Sequence, residues 1–337
     1  MARFAYTFDL DLTEIEILRR EFGLTLQSLE KITEEIFDQE CITLATCRIQ
    51  TLNLVLEKCK RNSVIIFLFG NETYNKETFE YLNKYSGKIR FAFMYNFPSK
   101  ETLSSFANPL LGFIYDFGVD KKELRPASRL VKNGLDLILR TQAIEPHFPF
   151  MEFPQGYSKR FVQELKIRNL INDGESILKS LVDPFVDRTM FMTFTGQKGS
   201  WYRQFILELA CKHVPDFRPY FTEGWAGANQ GSKTNYIDEL SKSRFVLNPP
   251  GNLTNKTHRY LESLLMGSLP VLPPSTIQDP HHWEVWSEKF DIFSWKKLFL
   301  KIQSMDEELR STLVESALNF EIEKVRVIQS KFAEMVG

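Results

Sequence analysis

Residues 243–273, SRFVLNPPGNLTNKTHRYLESLLMGSLPVLP, combine an apolar strand pattern, a polar loop, a short amphipathic helix and a second strand pattern. A helix N-terminus carries partial positive charge and usually attracts acidic side chains. Here Lys256, His258 and Arg259 crowd the predicted helix start instead. Cations at a positive helix end are favourable when an anion binds between them, and a nucleotide diphosphate is a common anion of this kind. The stretch therefore predicts an α/β unit that binds a diphosphate.

Composition sets the broad class of the protein. The chain has 337 residues, 43% of them hydrophobic and 25% charged, which is typical of a globular protein with room for two domains. Its 42 basic residues nearly balance 43 acidic ones, for a net charge of −1. This balance excludes bulk attraction to nucleic acid or to anionic lipid. Any phosphate binding is expected to be local.

The sequence favours a cytoplasmic location. Acidic residues such as Asp9 and Glu14 precede any long apolar run, so no signal peptide is predicted. No apolar run approaches the roughly 18–20 residues that a membrane span requires, although peripheral association with a membrane stays open. The four cysteines form neither a C-x-x-C pair nor a metal-ligand pattern with histidine. We therefore expect a reducing compartment and no bound metal.

The first half of the chain alternates between strand and helix patterns. Residues 13–37 have helical periodicity, which Gly23 is expected to break into two helices. The continuous apolar run at residues 64–69 is typical of a buried parallel strand. A helix is predicted at residues 78–85, and strands at residues 4–8, 89–95 and 135–139. This alternation predicts an α/β fold.

The second half repeats the alternation. Residues 144–157 contain three prolines and no periodicity, which indicates a boundary or crossover. We predict three parts: a first α/β domain over residues 1–150, a second over residues 151–304, and a C-terminal helix over residues 305–337 that packs back on the first domain.

Two strand–loop–helix units place cations where open α/β sheets bind ligands. In the first unit, a strand at residues 190–195 is followed by Gly196, Lys198 and Arg203 at the start of a helix. Such a glycine loop fits an ordinary turn with solvated side chains equally well. The same charge placement at Arg259 in the second unit favours an anion site.

Arg259 and Glu262 are three residues apart and so share one helix face. An arginine at the helix start can bind a diphosphate, while an acid one turn later can accept two ribose hydroxyls. The alternative is a surface ion pair that contributes only a few tenths of a kcal/mol.

These motifs resemble those of a known family. The segments S-R-F-V-L-x-P-x-G, T-x-R-x-x-E and M-G-S-L-P-V-L, with FTGQKGSWYRQF and FPQGYSKRF upstream, resemble the exostosin-type glycosyltransferases of family 47 over roughly residues 149–274. The resemblance implies a GT-B fold, in which two Rossmann-like domains face a central cleft. It also implies inverting transfer from a nucleotide sugar held by the second domain, without an obligatory metal or other cofactor. The predicted donor site consists of Gly196, Lys198, Arg203, Ser243, Asn248, Gly251, Thr257, Arg259 and Glu262. The loop N-P-P-G departs slightly from the family pattern.

Inverting transfer needs a general base that accepts the acceptor hydroxyl proton. Glu72, at the end of the apolar strand in the first domain, is the first candidate, and Asp11 is the second. For either acid, a helix cap or a surface loop is an equally good interpretation. Asp9 and Asp11 also form a D-x-D triplet, which is too short a match to predict a metal site.

The combined expectation is a glycosyltransferase that moves a sugar from a nucleotide diphosphate, with UDP as the implied carrier, to a glycan or lipid-linked glycan acceptor in surface polysaccharide synthesis. Two alternatives stay open: a fucosyltransferase-like enzyme that uses GDP-fucose, and a non-catalytic module that binds a glycan or nucleotide. A nicotinamide oxidoreductase ranks lower because no G-x-G-x-x-G follows a first strand.

Overall fold

The computed structural model describes most of the chain. The described residues are 4–7, 15–31, 34–37, 39–46, 52–69, 76–95, 146–154, 156–179, 187–198, 201–222, 236–249, 257–272 and 295–337. They form an α/β fold with two parallel sheets, one of six strands and one of four. The predicted fold class is confirmed at this level.

The first sheet is entirely parallel, with strand order β2-β1-β3-β4-β5-β6. Its strands are β1 (Phe4–Thr7), β2 (Thr25–Ser28), β3 (Ile42–Thr46), β4 (Val64–Leu68), β5 (Ile89–Tyr95) and β6 (Phe150–Phe153). The helices described between them are α1 (Glu16–Arg20), α2 (Glu34–Phe37), α3 (Asn53–Leu56) and α4 (Lys76–Lys84), with a 3-10 turn at Leu29–Lys31.

Strand β4 is buried on both faces of the sheet. Ile65 and Phe67 belong to one apolar cluster, whereas Val64, Ile66 and Leu68 belong to another. A strand that alternates between two cores has no polar face, which explains the uninterrupted apolar run in the sequence. The predicted strands at β4 and β5 and the predicted helix at α4 are confirmed.

The prediction of two helices within residues 13–37 is confirmed only in part, because α1 and α2 lie on either side of Gly23 but a strand lies between them. Helix α1 ends as expected before Gly23, whose φ of 62° is favourable for glycine. The next segment, however, forms β2, which pairs in parallel with β1 through Phe4↔Thr25 and Thr7↔Ser28. Pairing with β1 satisfies the backbone N–H and C=O groups of this segment. This tertiary contact overrides the helical periodicity of the local sequence.

The segment predicted as a boundary or crossover, residues 144–157, contains strand β6. Pro149 and Pro154 flank this strand and do not interrupt it, so no ladder donor is lost within it. The strand pairs with β5 through Ala92↔Phe150 and Tyr95↔Phe153. The first sheet therefore extends through Phe153. The predicted strand at residues 135–139 lies outside the described residues.

The second sheet is also parallel, with strand order β10-β9-β7-β8. Its strands are β7 (Met190–Gly196), β8 (Phe217–Phe221), β9 (Ser243–Leu247) and β10 (Leu269–Val271). Helix α5 (Lys159–Ile167) precedes it, and α6 (Trp201–His213), α7 (Tyr236–Lys242), α8 (His258–Leu265) and α9 (Trp295–Gln303) accompany it. Pro270 lies on the edge strand β10, where a missing N–H donor is tolerated.

The final helix, α10 (Glu307–Val336), contacts both halves of the chain. It begins at Asp306, whose carboxylate accepts a hydrogen bond from the Leu309 N–H at 2.7 Å. Near its start, Arg310 donates to the Gly267 carbonyl at 2.8 Å, just after α8. Near its end, Phe332 packs against Phe67 of β4, with ring centroids 5.5 Å apart. One apolar cluster includes residues from both sheets and from α10.

Candidate anion-binding site

The candidate site lies at the carboxyl ends of β7 and β9, where ligands bind in open parallel α/β sheets. Gly196 ends β7, Asn248 directly follows β9, and Thr257 precedes α8. Asn248 is fully buried, and its N–H donates to the Val271 carbonyl of the neighbouring strand at 2.9 Å. The two strand–loop–helix units predicted from the sequence therefore meet at the carboxyl ends of the second sheet.

The Arg259 side chain is held by several contacts at this edge. Its Nε donates to the Thr195 carbonyl at 2.7 Å, and its Nη1 donates to Asn248 Oδ1 at 3.3 Å and to Thr257 Oγ1 at 3.4 Å. The guanidinium also lies over the Phe194 ring, 4.8 Å from its centroid. A planar guanidinium fixed in this way presents its remaining N–H groups in a set direction.

Gly196 permits the close approach of Arg259. A Cβ added at this position would lie 2.6 Å from Arg259 Nη2 and 3.3 Å from the Phe194 ring. Both distances are too short for ordinary contact, so any larger residue would displace the guanidinium. The glycine in the loop is therefore explained by the arginine of the second unit.

Arg203 lies in the first turn of α6 and donates to the Gln197 carbonyl at 3.2 Å. Burial, together with a smaller contribution from the positive charge of Arg259, lowers the pKa of Arg203 to about 10. Burial also lowers the pKa of Arg259. Two partly buried guanidinium groups that repel one another favour an anion between them.

The N-terminus of α8 adds positive potential to the same place. Its N-cap residue Thr257 makes no side-chain hydrogen bond to the first turn, which contains no acidic residue. The Thr257 hydroxyl donates to Asn248 Oδ1 at 2.5 Å instead. The first turn of α8 therefore lacks the side-chain cap that a threonine often provides.

Lys198 lies at the rim of this edge and is exposed. Its Nζ sits over the Phe221 ring, 4.8 Å from the centroid. The structure thus brings together the predicted residues Gly196, Arg203, Asn248, Thr257 and Arg259, with Lys198 beside them.

Glu262 does not fit the predicted role of ribose acceptor. The side chain is only 2% exposed, and both carboxylate oxygens bind the protein itself. Oε1 accepts from the Ser158 N–H at 2.7 Å, and Oε2 accepts from the Tyr236 hydroxyl. The carboxylate instead connects the middle of α8 with the starts of α5 and α7. This face of α8 meets protein where the sequence pattern predicts a ligand.

Ser243 also lies away from the site. It begins β9, so the length of that strand separates it from the carboxyl edge. Its hydroxyl donates to the Glu239 carbonyl at 2.6 Å, and its own carbonyl accepts from Arg188 at 2.7 Å. Ser243 therefore lies at the amino ends of the strands, opposite the candidate site, and does not line it.

Three predicted residues, Glu72, Asp11 and Gly251, lie outside the described residues. The general base therefore stays a prediction. Among the described residues, no group of three or more His, Cys, Asp or Glu side chains is arranged to hold a metal ion. Of the helices that the structure describes, none is long and apolar enough to cross a membrane.

Sequence reasoning missed a buried polar layer beneath the site. Glu239, 6% exposed, accepts a hydrogen bond from the Thr195 hydroxyl at 2.5 Å, and burial raises the pKa of its carboxyl group. Tyr236 is buried beside Glu262, and burial raises its pKa well above 10.0. Arg160 lies 5.3 Å from the centroid of the Tyr236 ring. The sequence carries no signal for Glu239, because an acid in a first helical turn is ordinarily exposed.

His258 forms another contact that the sequence does not indicate. Its Nδ1 lies 3.1 Å from the Gly156 carbonyl, in the segment that connects β6 with α5. Together with Glu262, it attaches that segment to α8, the helix that carries Arg259.

No protein-family model and no curated protein matches this chain significantly. The functional interpretation therefore depends on the residues and their geometry.

Proposed function

We propose that this protein is an inverting glycosyltransferase that moves a sugar from a nucleoside diphosphate, with UDP as the carrier, to a glycan acceptor. One observation carries the proposal. Arg203, hydrogen-bonded to the Gln197 carbonyl, and Arg259, packed against Gly196, meet at the end of β7, beside the N-terminus of α8 at the carboxyl ends of a parallel sheet. Guanidinium groups and helix N-termini are the commonest protein partners of phosphates.

The chemistry of sugar transfer explains why these groups are useful. When the bond between the sugar and the diphosphate breaks, negative charge develops on the leaving oxygen. Fixed cations and N–H dipoles that already face this oxygen stabilise the transition state more than they stabilise the bound donor. In this proposal, Arg203 and Arg259 neutralise the diphosphate, and Asn248 and Thr257 hold Arg259 in position.

The proposal assigns the second sheet to the donor and the first half of the chain to the acceptor, in the GT-B arrangement that the family resemblance implies. Glu72 is the proposed base and Asp11 the second candidate. Glu262 is given a different role from the one predicted, since its buried carboxylate positions α8 against α5 and α7. We further propose that the acceptor is a glycan or lipid-linked glycan that is extended in the cytoplasm.

Donor turnover tests this function. The protein is incubated with a panel of UDP-hexoses, UDP-pentoses and GDP-fucose, with and without oligosaccharide acceptors, and the released nucleotide is quantified. We expect release of UDP. In Arg203→Met, which keeps an unbranched apolar side chain and removes the guanidinium charge, kcat is expected to fall by about 10²- to 10³-fold.

Arg326→Met is the matched control, because Arg326 is an exposed arginine on α10 that pairs with exposed Glu323. Its turnover should equal that of the wild type. Stabilisation and turnover by GDP-fucose alone would favour the fucosyltransferase-like alternative. Saturable donor binding with no turnover for any acceptor would show a binding module and contradict the proposed enzyme.

A further inference from the structure

Phe221 is an exposed aromatic ring next to the candidate anion site. It is the last residue of β8, at the carboxyl end of the edge strand, and 47% of its surface is exposed. The other aromatic side chains of this sheet are buried or half-buried, and Phe194 and Phe245 are fully buried. An aromatic ring left open at the edge where ligands bind is a candidate contact surface.

The sheet geometry places Phe221 on the same side as Arg259. Phe221 pairs in register with Gly196, and paired residues of parallel strands project to one face. On that face, the Phe194 ring lies 6.3 Å from the Phe221 ring and 4.8 Å from the Arg259 guanidinium. Because both contacts share the Phe194 ring, Phe221 and Arg259 are at most about 11 Å apart. An extended nucleoside diphosphate covers such a distance.

The charges around Phe221 narrow the class of ligand. Lys198 lies over the ring, and Arg203 and Arg259 lie deeper along the same edge. A free phosphate would use the arginines but not the ring. A neutral apolar ligand would use the ring but not the cations. A molecule with a flat aromatic group at one end and two phosphates at the other uses both.

We propose that Phe221 stacks against the base of a nucleoside diphosphate whose phosphates lie between Arg203 and Arg259. This inference rests on the proposed function and adds the base-binding residue to it. The base displaces Lys198 from the ring, which exchanges an exposed cation–π contact for a stronger stacking contact. The freed Lys198 ammonium lies near the phosphates. Because every base has a π-face, stacking contributes affinity without choosing between uracil and guanine.

Calorimetric titration of the full chain tests the assignment. Wild type, Phe221→Ala, Phe221→Leu and Phe221→Trp are titrated with UDP, GDP, UDP-glucose and inorganic pyrophosphate. We expect Phe221→Ala to bind the preferred nucleoside diphosphate about 5- to 150-fold more weakly, the range for loss of one base-stacking contact. Pyrophosphate affinity should be unchanged, because it has no base. Phe221→Trp should retain nucleotide affinity, and Phe221→Leu, which is apolar but has no ring, should lose most of it.

Each contrary outcome is distinguishable. If wild type and Phe221→Ala bind the nucleotide equally, Phe221 does not stack on the base, and the proposed function stands. If only the affinity for UDP-glucose falls, the ring contacts the sugar and the assignment is wrong. If wild-type protein binds neither pyrophosphate nor a nucleotide, both proposals fail.

A spectroscopic measurement covers the case in which Phe221→Ala does not fold. The fluorescence of Phe221→Trp, after subtraction of the wild-type signal, should be quenched by the nucleotide and not by pyrophosphate. Equal spectra with and without the nucleotide would overturn the assignment.

Discussion

Arg259 has room for its guanidinium because Gly196 has no side chain. We predict that Gly196→Ala weakens pyrophosphate binding at least about tenfold, since the added Cβ would lie 2.6 Å from Arg259 Nη2. The overpacked site should also lose about 1–3 kcal/mol of stability. Calorimetry and urea unfolding measure the two effects. Gly87→Ala is the control, because its Cβ would meet only Arg61 Nε, at 3.8 Å. Unchanged binding in Gly196→Ala would contradict the geometry.

Glu239 predicts a pH dependence of stability. Burial raises the pKa of its carboxyl group above the ordinary value of 4.5, so the folded protein binds the proton more tightly than the unfolded chain does. Its contribution to stability is complete below about pH 4.5 and is lost as the pH rises through the raised pKa. Glu239→Gln keeps an acceptor for the Thr195 hydroxyl and removes the buried charge. We therefore expect the variant to be more stable than wild type at neutral pH.

Urea unfolding between about pH 4.5 and about pH 8 checks this sign. The advantage of Glu239→Gln should shrink as the solution is acidified. Glu323→Gln, at an exposed acid of α10, should behave like the wild type throughout. A glutamine variant that is less stable than wild type at neutral pH would show that the ionised Glu239 carboxylate stabilises the fold.

Single residues also show how far the sequence predicts the site. Charge placement predicts Arg259 and the family resemblance implies Asn248, and these two residues lie in hydrogen-bond contact. The spacing of Arg259 and Glu262 indicates only that they share a helix face. Whether that face meets a ligand or the Ser158 N–H depends on packing between segments about 100 residues apart, which no local pattern encodes.

Helices α8 and α10 are joined by Arg310. This side chain is 2% exposed, donates to the Gly267 carbonyl at 2.8 Å and pairs with Glu307. Gly267 has a φ of 71° and lies just beyond the end of α8, so Arg310 supplies the donor for a buried carbonyl in the turn that follows the helix. We predict that Arg310→Leu costs about 2–4 kcal/mol, because a buried carbonyl loses its charged donor.

Chemical unfolding of Arg310→Leu measures this cost. Arg326→Leu on the same helix should change stability by less than about 0.5 kcal/mol, since both Arg326 and its partner Glu323 are exposed. Equal stability of the two variants would contradict the role of Arg310 as a connection between helices.

Individual elements differ in how clearly the sequence predicts them. Strand β4 is predictable because its side chains pack into two cores, one on each face of the sheet, so that its sequence is an uninterrupted apolar run. Strand β2 is not, because its four residues are largely half-exposed and form a strand only by pairing with β1. Strand β6 is hard to predict from the sequence because prolines usually indicate a loop. Pro149 and Pro154 lie just outside the strand, which only the structure shows.

The molecule as a whole is held together by a cluster of apolar residues that includes both sheets and α10. Phe332 of α10 packs against Phe22, Phe67 and Phe93, with centroid distances of 5.9, 5.5 and 6.2 Å. We predict that Phe332→Ala destabilises the protein by about 3–5 kcal/mol. Because the core is shared, circular dichroism and tryptophan fluorescence should report one coincident transition.

Val327→Ala is the matched control for Phe332→Ala, because Val327 lies on the same helix and is half-exposed. It should change stability by less than about 0.5 kcal/mol. Two separate transitions, with only one shifted by Phe332→Ala, would contradict a shared core.

The alternating pattern of the sequence is sufficient to predict two parallel α/β units. Apart from the predicted return of the C-terminal helix to the first domain, the sequence does not predict the contacts that connect these units, because those contacts join distant segments. His258 with Gly156 and Gln329 with Glu21 are examples, the second pair being 308 residues apart. The first contact attaches α8, the helix that carries Arg259, to the segment before α5, and the second attaches α10 to the end of α1.

The most direct test of the central claim is a crystal structure of the protein with UDP bound. The account predicts that the diphosphate lies within hydrogen-bond distance of the Arg203 and Arg259 guanidinium groups, at the N-terminus of α8. A diphosphate bound elsewhere, or an unoccupied site at saturating UDP, would contradict it.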